Sequence, residues 1–258
     1  MDYGGVIGEL SRLTGMRFIN PSRGGGKPIE QFVGRTLDFH NQKQYALRDF
    51  EFSKIKLLVK NLQEIERYDK TLLVKMNKQL LNSLNENEYY GSRLEISITA
   101  SLIRKGLDFK KTESPDFTIN TESKIFIECT SSHITGSKTS DIEYKIKEAI
   151  NAKAHKKYGT PKTALFVDVT NLYYNSLLNE IGLGKKDFYN FAKKVLQETE
   201  FGSVVLFCYL QNFELMRYEQ NYVRVDSSKI NKALHDFLNC YYPFGDKNVD
   251  THRIPKVG

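Results

Sequence analysis

The chain is short of cysteine. Cys129, Cys208 and Cys240 are the three among 258 residues, far apart and without metal-ligand spacing. A sparse, odd set argues against a disulfide framework and for reduced thiols in the cytoplasm. No uninterrupted apolar run approaches the about 20 residues that span a bilayer, so no membrane partner is expected. The opening stretch MDYGGVIGELSRLTG lacks the basic and apolar segments of a secretory leader. There is no internal repeat, no low-complexity tract and no dinucleotide-binding glycine fingerprint. No Ser/His/Asp or Cys/His pattern stands in a recognisable context. The run Gly24-Gly25-Gly26-Lys27 fails as a phosphate-binding loop, because Pro28 stands where Ser or Thr is needed.

What is present describes a soluble globular chain. Hydrophobic residues make up 40% and charged residues 27%, enough for one substantial core and a small appendage. Lys and Arg outnumber Asp and Glu by 38 to 31, a net charge of +7. That excess suits a polyanionic partner such as DNA, and it equally suits a basic protein with no such partner.

Periodicity divides the chain. Val6 to Leu13 is a short amphipathic piece, and Asn20 to Pro28 reads as a Gly/Pro linker, so residues 1–45 form an N-terminal extension. Ile55, Leu58, Val59, Leu62 and Ile65 follow helical spacing, as do Leu72, Leu73, Met76, Leu80 and Leu81. Residues 46–86 are therefore expected to be a helical lead-in. Asn85 or Asn87 caps a further helix that runs to Gly106. The period then falls to 2: Phe117–Ile119 and Lys124–Cys129 read as strands around a turn at Asn120–Ser123. A helix over 141–158, a buried strand over 164–169, a helix over 186–199 and a strand over 203–209 follow, with Tyr222–Val225 as one more strand. The core is expected over 87–245, and 246–258 as a polar tail. The order describes an α/β fold, a mixed sheet flanked by helices.

The informative stretch is Ser114-Pro115-Asp116-Phe117, followed by Ile127-Glu128-Cys129. Asp116 and Glu128 are equidistant from a turn centred on Glu122, which places them opposite one another on one face of a hairpin. Opposed carboxylates repel, a cost that makes sense if a hard divalent cation such as Mg²⁺ or Mn²⁺ sits between them. The plainer reading is a surface hairpin with solvated acids. Glu95, between Leu94 and Ile96, can point inwards on its helix or lie exposed.

The order of Glu95 on a helix, Pro115-Asp116, and a hydrophobic strand ending in Glu128 resembles the PD-(D/E)XK nuclease superfamily. The resemblance spans roughly Tyr89 to Val169. It implies a restriction-endonuclease-like fold and Mg²⁺-dependent (or Mn²⁺-dependent) phosphodiester cleavage of DNA. By that resemblance, Glu95, Asp116, Glu128 and the Cys129 carbonyl are metal ligands. One position departs from the pattern: Thr130 stands where the family usually has lysine. The helix after the loop offers a substitute. Ile142, Ile146, Ala149 and Ile150 form an apolar stripe with Lys153 in its middle. A lysine there needs either a carboxylate partner or a path to solvent. Lys145, at the stripe's edge, is the second choice. His133 reads as a surface-loop histidine and Asp168 as a structural hydrogen-bonder. Lys153, His155, Lys156, Lys157 and Tyr158 form either a phosphate-tracking run or a solvated helix end. With Thr130, the alternative function is an inactive nucleic-acid-binding module of the same fold. The sequence leaves open whether a homodimer forms to cut both strands.

Overall fold

The computed structural model describes residues 3–18, 26–134, 141–212 and 217–244. The polar tail over 246–258 and most of the glycine-rich linker lie outside the described residues. The chain divides into two compact units, the first ending at Leu107 and the second beginning at Asp108, except that Arg217 and Tyr218 group with the first.

The first unit is helical, with α1 (Tyr3–Thr14), α2 (Pro28–Asn41), α3 (Tyr45–Tyr68), α4 (Lys70–Leu81) and α5 (Glu86–Arg104). Proline at the first turn favours the start of α2. The Asp69 side chain accepts from Thr71 N–H at 2.7 Å to cap α4. Asn85 accepts from Glu88 N–H at 3.0 Å to cap α5. The α3 stripe of Ile55, Leu58, Val59, Leu62 and Ile65 is buried against Leu10, Phe32, Met76 and Tyr89. Tyr89, Ile96 and Ala100 belong to this core, so α5 folds with the helices that precede it. Helix α2 lies in a stretch whose sequence reads as an irregular extension.

The second unit is built on a six-stranded mixed sheet in the order β1-β2-β3-β4-β5-β6. The strands are β1 (Phe109–Lys111), β2 (Phe117–Ile119), β3 (Ile125–Ser131), β4 (Thr163–Asp168), β5 (Ser203–Asn212) and β6 (Arg217–Asp226). The β1–β2 and β2–β3 pairs are antiparallel, while β3–β4 and β4–β5 are parallel. Helices α6 (Ile142–Ala154), α7 (Thr170–Leu178), α8 (Lys185–Leu196) and α9 (Lys232–Tyr241) flank it. Every residue of β4 is buried, as its continuous apolar run requires of a strand covered on both faces. Leu165, Val167, Val204 and Leu206 pack with Ile146 and Ile150 of α6 and Ala192 and Val195 of α8. On the other face, Phe166 and Phe207 meet Tyr242 at 5.1 and 6.0 Å between ring centroids. Glu128 pairs with Leu165 in the ladder, so it shares the face that α6 covers. Among the described residues no helix is long and apolar enough to cross a membrane.

Candidate carboxylate–lysine site

The β2–β3 register pairs Phe117 with Ile127, Thr118 with Phe126 and Ile119 with Ile125. It is therefore centred on Glu122, and one step further along brings Asp116 opposite Glu128. Asp116 N–H donates to Glu128 Oε2 at 3.2 Å, and Cys129 N–H donates to Asp116 Oδ2 at 2.7 Å. Both carboxylates are buried, 7% exposed for Asp116 and 3% for Glu128. The loop before β2 is closed by Thr112 N–H to Asp116 O at 2.9 Å, and by the Thr112 hydroxyl to Pro115 O. The hairpin thus fixes the pair through its backbone as well as its side chains.

Two lysines and a tyrosine complete the cluster. Lys153 Nζ, at the end of α6, stands 2.6 Å from Glu128 Oε1. This is the partner that a lysine on an inward stripe requires. The Tyr158 hydroxyl donates to the same oxygen at 2.7 Å, and the Thr163 hydroxyl holds the Tyr158 carbonyl. Lys111 Nζ lies 3.0 Å from Asp116 Oδ1, with its side chain 4% exposed and its ammonium 5.0 Å from the Phe117 ring centroid. Sequence reasoning missed Lys111 because β1 is a three-residue strand with no apolar alternation. Tyr158 stood in the basic run, but nothing in its spacing distinguished it from a solvated neighbour.

The charges do not bear burial equally. Burial of Glu128, with Asp116 beside it, raises its carboxyl above the ordinary value, against the lowering pull of Lys153 and Tyr158. Burial alone would depress Lys153, but its contact with Glu128 outweighs that and holds the ammonium above its ordinary value. The shift on Glu128 weakens the ion pair and the shift on Lys153 strengthens it. The Lys153 side chain is 29% exposed and that of Glu128 only 4%, so desolvation falls mainly on the carboxylate. Tyr158 is raised by burial and by Glu128, so it stays a hydrogen-bond donor.

The other candidates make different contacts. Glu95 belongs to the first unit, buried in α5, where its Oε1 accepts from Gln79 Nε2 at 2.6 Å. Lys145 pairs with Glu148 at 2.7 Å rather than with Glu128. His133 is buried at 8% exposure, which corrects its reading as a surface-loop residue: the segment after β3 turns into the unit at Ser132–Ile134. Asp168 accepts from Thr170 N–H at 2.9 Å at the start of α7, the structural role expected of it. His155, Lys156 and Lys157 are exposed, as a solvated helix end would be. Thr130 is half-buried on the Glu128 face of β3.

Among the described residues, no three His, Cys, Asp or Glu side chains gather as a ready cation cage. The donor set nonetheless suits Mg²⁺, which takes one or two protein carboxylates and keeps its remaining places for water and phosphate. Each oxygen of Asp116 and Glu128 already accepts a bond from the chain, Glu128 Oε1 accepting two; Asp116 Oδ1, Asp116 Oδ2 and Glu128 Oε2 each keep a second lone pair for an ion. Comparison with protein-family models, with curated proteins and with solved structures finds no match.

Proposed function

We propose that this chain is a metal-dependent nuclease of the PD-(D/E)XK, restriction-endonuclease-like kind, with DNA as its substrate. The observation that carries the reading is the buried Asp116–Glu128 pair with Lys153 Nζ 2.6 Å from Glu128 Oε1. A lysine from α6 thereby stands at the carboxylates, although Thr130 occupies the usual lysine position.

Asp116, Glu128 and the Cys129 carbonyl would hold Mg²⁺ or Mn²⁺, which supplies a water of lowered pKa and neutralises phosphate charge. The chain's own groups do the rest. Lys153, the more exposed partner in its ion pair, offers its ammonium to the charge that develops on the scissile phosphate. Tyr158 fixes the rotamer of Glu128 through Oε1. Lys111 neutralises Asp116 from the β1 side and keeps the two carboxylates from repelling one another apart. The proposed site consists of residues of the second unit. The net charge of +7 favours association with the DNA backbone.

A second reading is favoured by one feature: the chain's own donors already engage all four carboxylate oxygens. On that view the fold binds nucleic acid without cutting it. Incubating plasmid and linear DNA with the protein in Mg²⁺, Mn²⁺ or EDTA separates the two, with Asp116→Ala and Lys153→Ala beside the wild type. The nuclease reading expects metal-dependent cutting that both substitutions abolish. Cutting that survives in Asp116→Ala would sink it. Metal-independent binding without cutting would support the inactive module.

A further inference from the structure

The helical unit holds a second buried charge cluster. Arg35 of α2, Lys54 of α3 and Arg93 of α5 place Cζ, Nζ and Cζ 5.5, 5.7 and 5.1 Å from the centroid of the Phe32 ring. Lys54 is 8% exposed, and its ammonium also lies 4.0 Å from the Phe50 centroid. Glu51 Oε1 is 2.9 Å from Lys54 Nζ, and Glu86 Oε1 is 3.2 Å from Arg35 Nη2. Two polar atoms of this cluster, Arg35 Nε and Glu51 Oε2, are buried with no hydrogen-bond partner among the described residues. Buried N–H groups and carboxylate oxygens are seldom left this way, because each keeps its full desolvation cost. Glu51 is close enough to Arg35 to act on its charge.

One atom needs an acceptor and the other a donor. An anion that carries a proton satisfies both. Carboxylate and sulfate ions have no such proton at neutral pH, whereas a phosphate monoester, with its second pKa near about 6, keeps one readily beside a carboxylate. We infer that Arg35, Lys54 and Glu51 form a binding site for a phosphate monoester in the helical unit. One phosphate oxygen accepts from Arg35 Nε, and the protonated oxygen donates to Glu51 Oε2. Burial depresses the Lys54 ammonium, with Arg35 and Arg93 adding to the strain against the pull of Glu51, and an added anion relieves that. The Arg35 side chain is 27% exposed, so the cluster reaches the surface, and a ligand gains the enclosed Arg35 Nε and Glu51 Oε2 as the side chains above them shift. Free phosphate and the terminal phosphate of a nucleic acid share this chemistry, and the site is independent of the nuclease reading.

Calorimetric titration of the whole chain in EDTA tests it, with inorganic phosphate, sulfate, and 5′-phosphorylated and 5′-hydroxyl oligonucleotides as separate probes. Saturable phosphate binding is expected, with sulfate weaker by about tenfold or more. Arg35→Gln should weaken phosphate by a similar factor. Glu51→Gln, which turns an acceptor into a donor, should erase the preference for phosphate over sulfate. A 5′-phosphate oligonucleotide that outbinds inorganic phosphate identifies a nucleic-acid terminus as the source, and equal affinity identifies free phosphate. Absence of saturable phosphate binding, as a bridging water alone would give, overturns the inference. So does phosphate binding that neither substitution alters.

Discussion

At the end of the β2–β3 hairpin two carboxylates are buried with every oxygen accepting a hydrogen bond. Around Phe32, a guanidinium N–H and a carboxylate oxygen are buried with none among the described residues. In the first cluster the opposing charges are matched, Lys111 to Asp116 and Lys153 to Glu128. Its hydrogen bonds are complete, and a phosphate that recruits Lys153 must rearrange a pair that is already made. The second cluster has made only part of its bonds, since Arg35 Nε and Glu51 Oε2 are enclosed without a partner among the described residues. Under the proposed function, the first cluster would serve chemistry, with Lys153 leaving Glu128 for a phosphate, and under the further inference the second would serve capture.

The sharpest way to break that contrast is to remove a carboxylate. Asp116→Ala is expected to lower DNA cleavage by more than about a hundredfold, beyond the range typical of changes around a metal's ligands, in a plasmid-nicking time course. Cleavage within a few fold of wild type would mean that the matched charges are structural only. Lys153→Met is expected to cost about a hundredfold in cleavage with DNA affinity retained, as a gel-shift titration in EDTA would show. If affinity falls with cleavage, Lys153 serves binding rather than the reaction. Lys111→Met should cost less, about tenfold, because Lys111 acts through the placement of Asp116. A thermal melt beside the cleavage assay separates that role from unfolding, since a folded variant loses rate while keeping its melting transition.

The smallest effect concerns stability and carries a definite sign. Burial raises the Glu128 carboxyl above its ordinary 4.5. The folded chain therefore takes up this proton before the unfolded chain does as pH falls. The group's contribution is complete below its unfolded value and is lost as pH rises through the raised folded value. In metal-free protein, Glu128→Gln and wild type should thus have similar stability at acidic pH. The variant should become the more stable of the two as pH rises towards neutrality, in urea titrations at a series of pH values. An advantage that shrinks with rising pH would show that Lys153 and Tyr158 outweigh burial.

Much of this arrangement was legible in the residues. The turn centred on Glu122 fixes the Asp116–Glu128 register, because antiparallel pairing leaves one arithmetic solution once the turn is placed. The stripe Ile142, Ile146, Ala149, Ile150 predicts the inward position of Lys153, and all four apolar members are buried. Lys111 was not legible, since a three-residue edge strand carries no period to read. Helix α2 was hidden behind the glycine and proline that precede it. In α9, the apolar set Leu234, Phe237 and Leu238 fills a window too short to stand out between a strand and a polar tail. The cluster at Phe32 depends on three helices meeting, which no local spacing encodes. His133 is buried by tertiary contact, against the surface preference of a Ser/Thr-rich loop.

The proposed nuclease activity depends most directly on whether Asp116 and Glu128 take up a divalent ion. Mn²⁺ binding followed by electron paramagnetic resonance, with a DNA duplex present, tests it in wild type and in Asp116→Asn. Bound Mn²⁺ is expected in the wild type, lost in the Asn variant together with cleavage of the same DNA. Equal Mn²⁺ binding by both proteins, or cleavage that persists in EDTA, would contradict it.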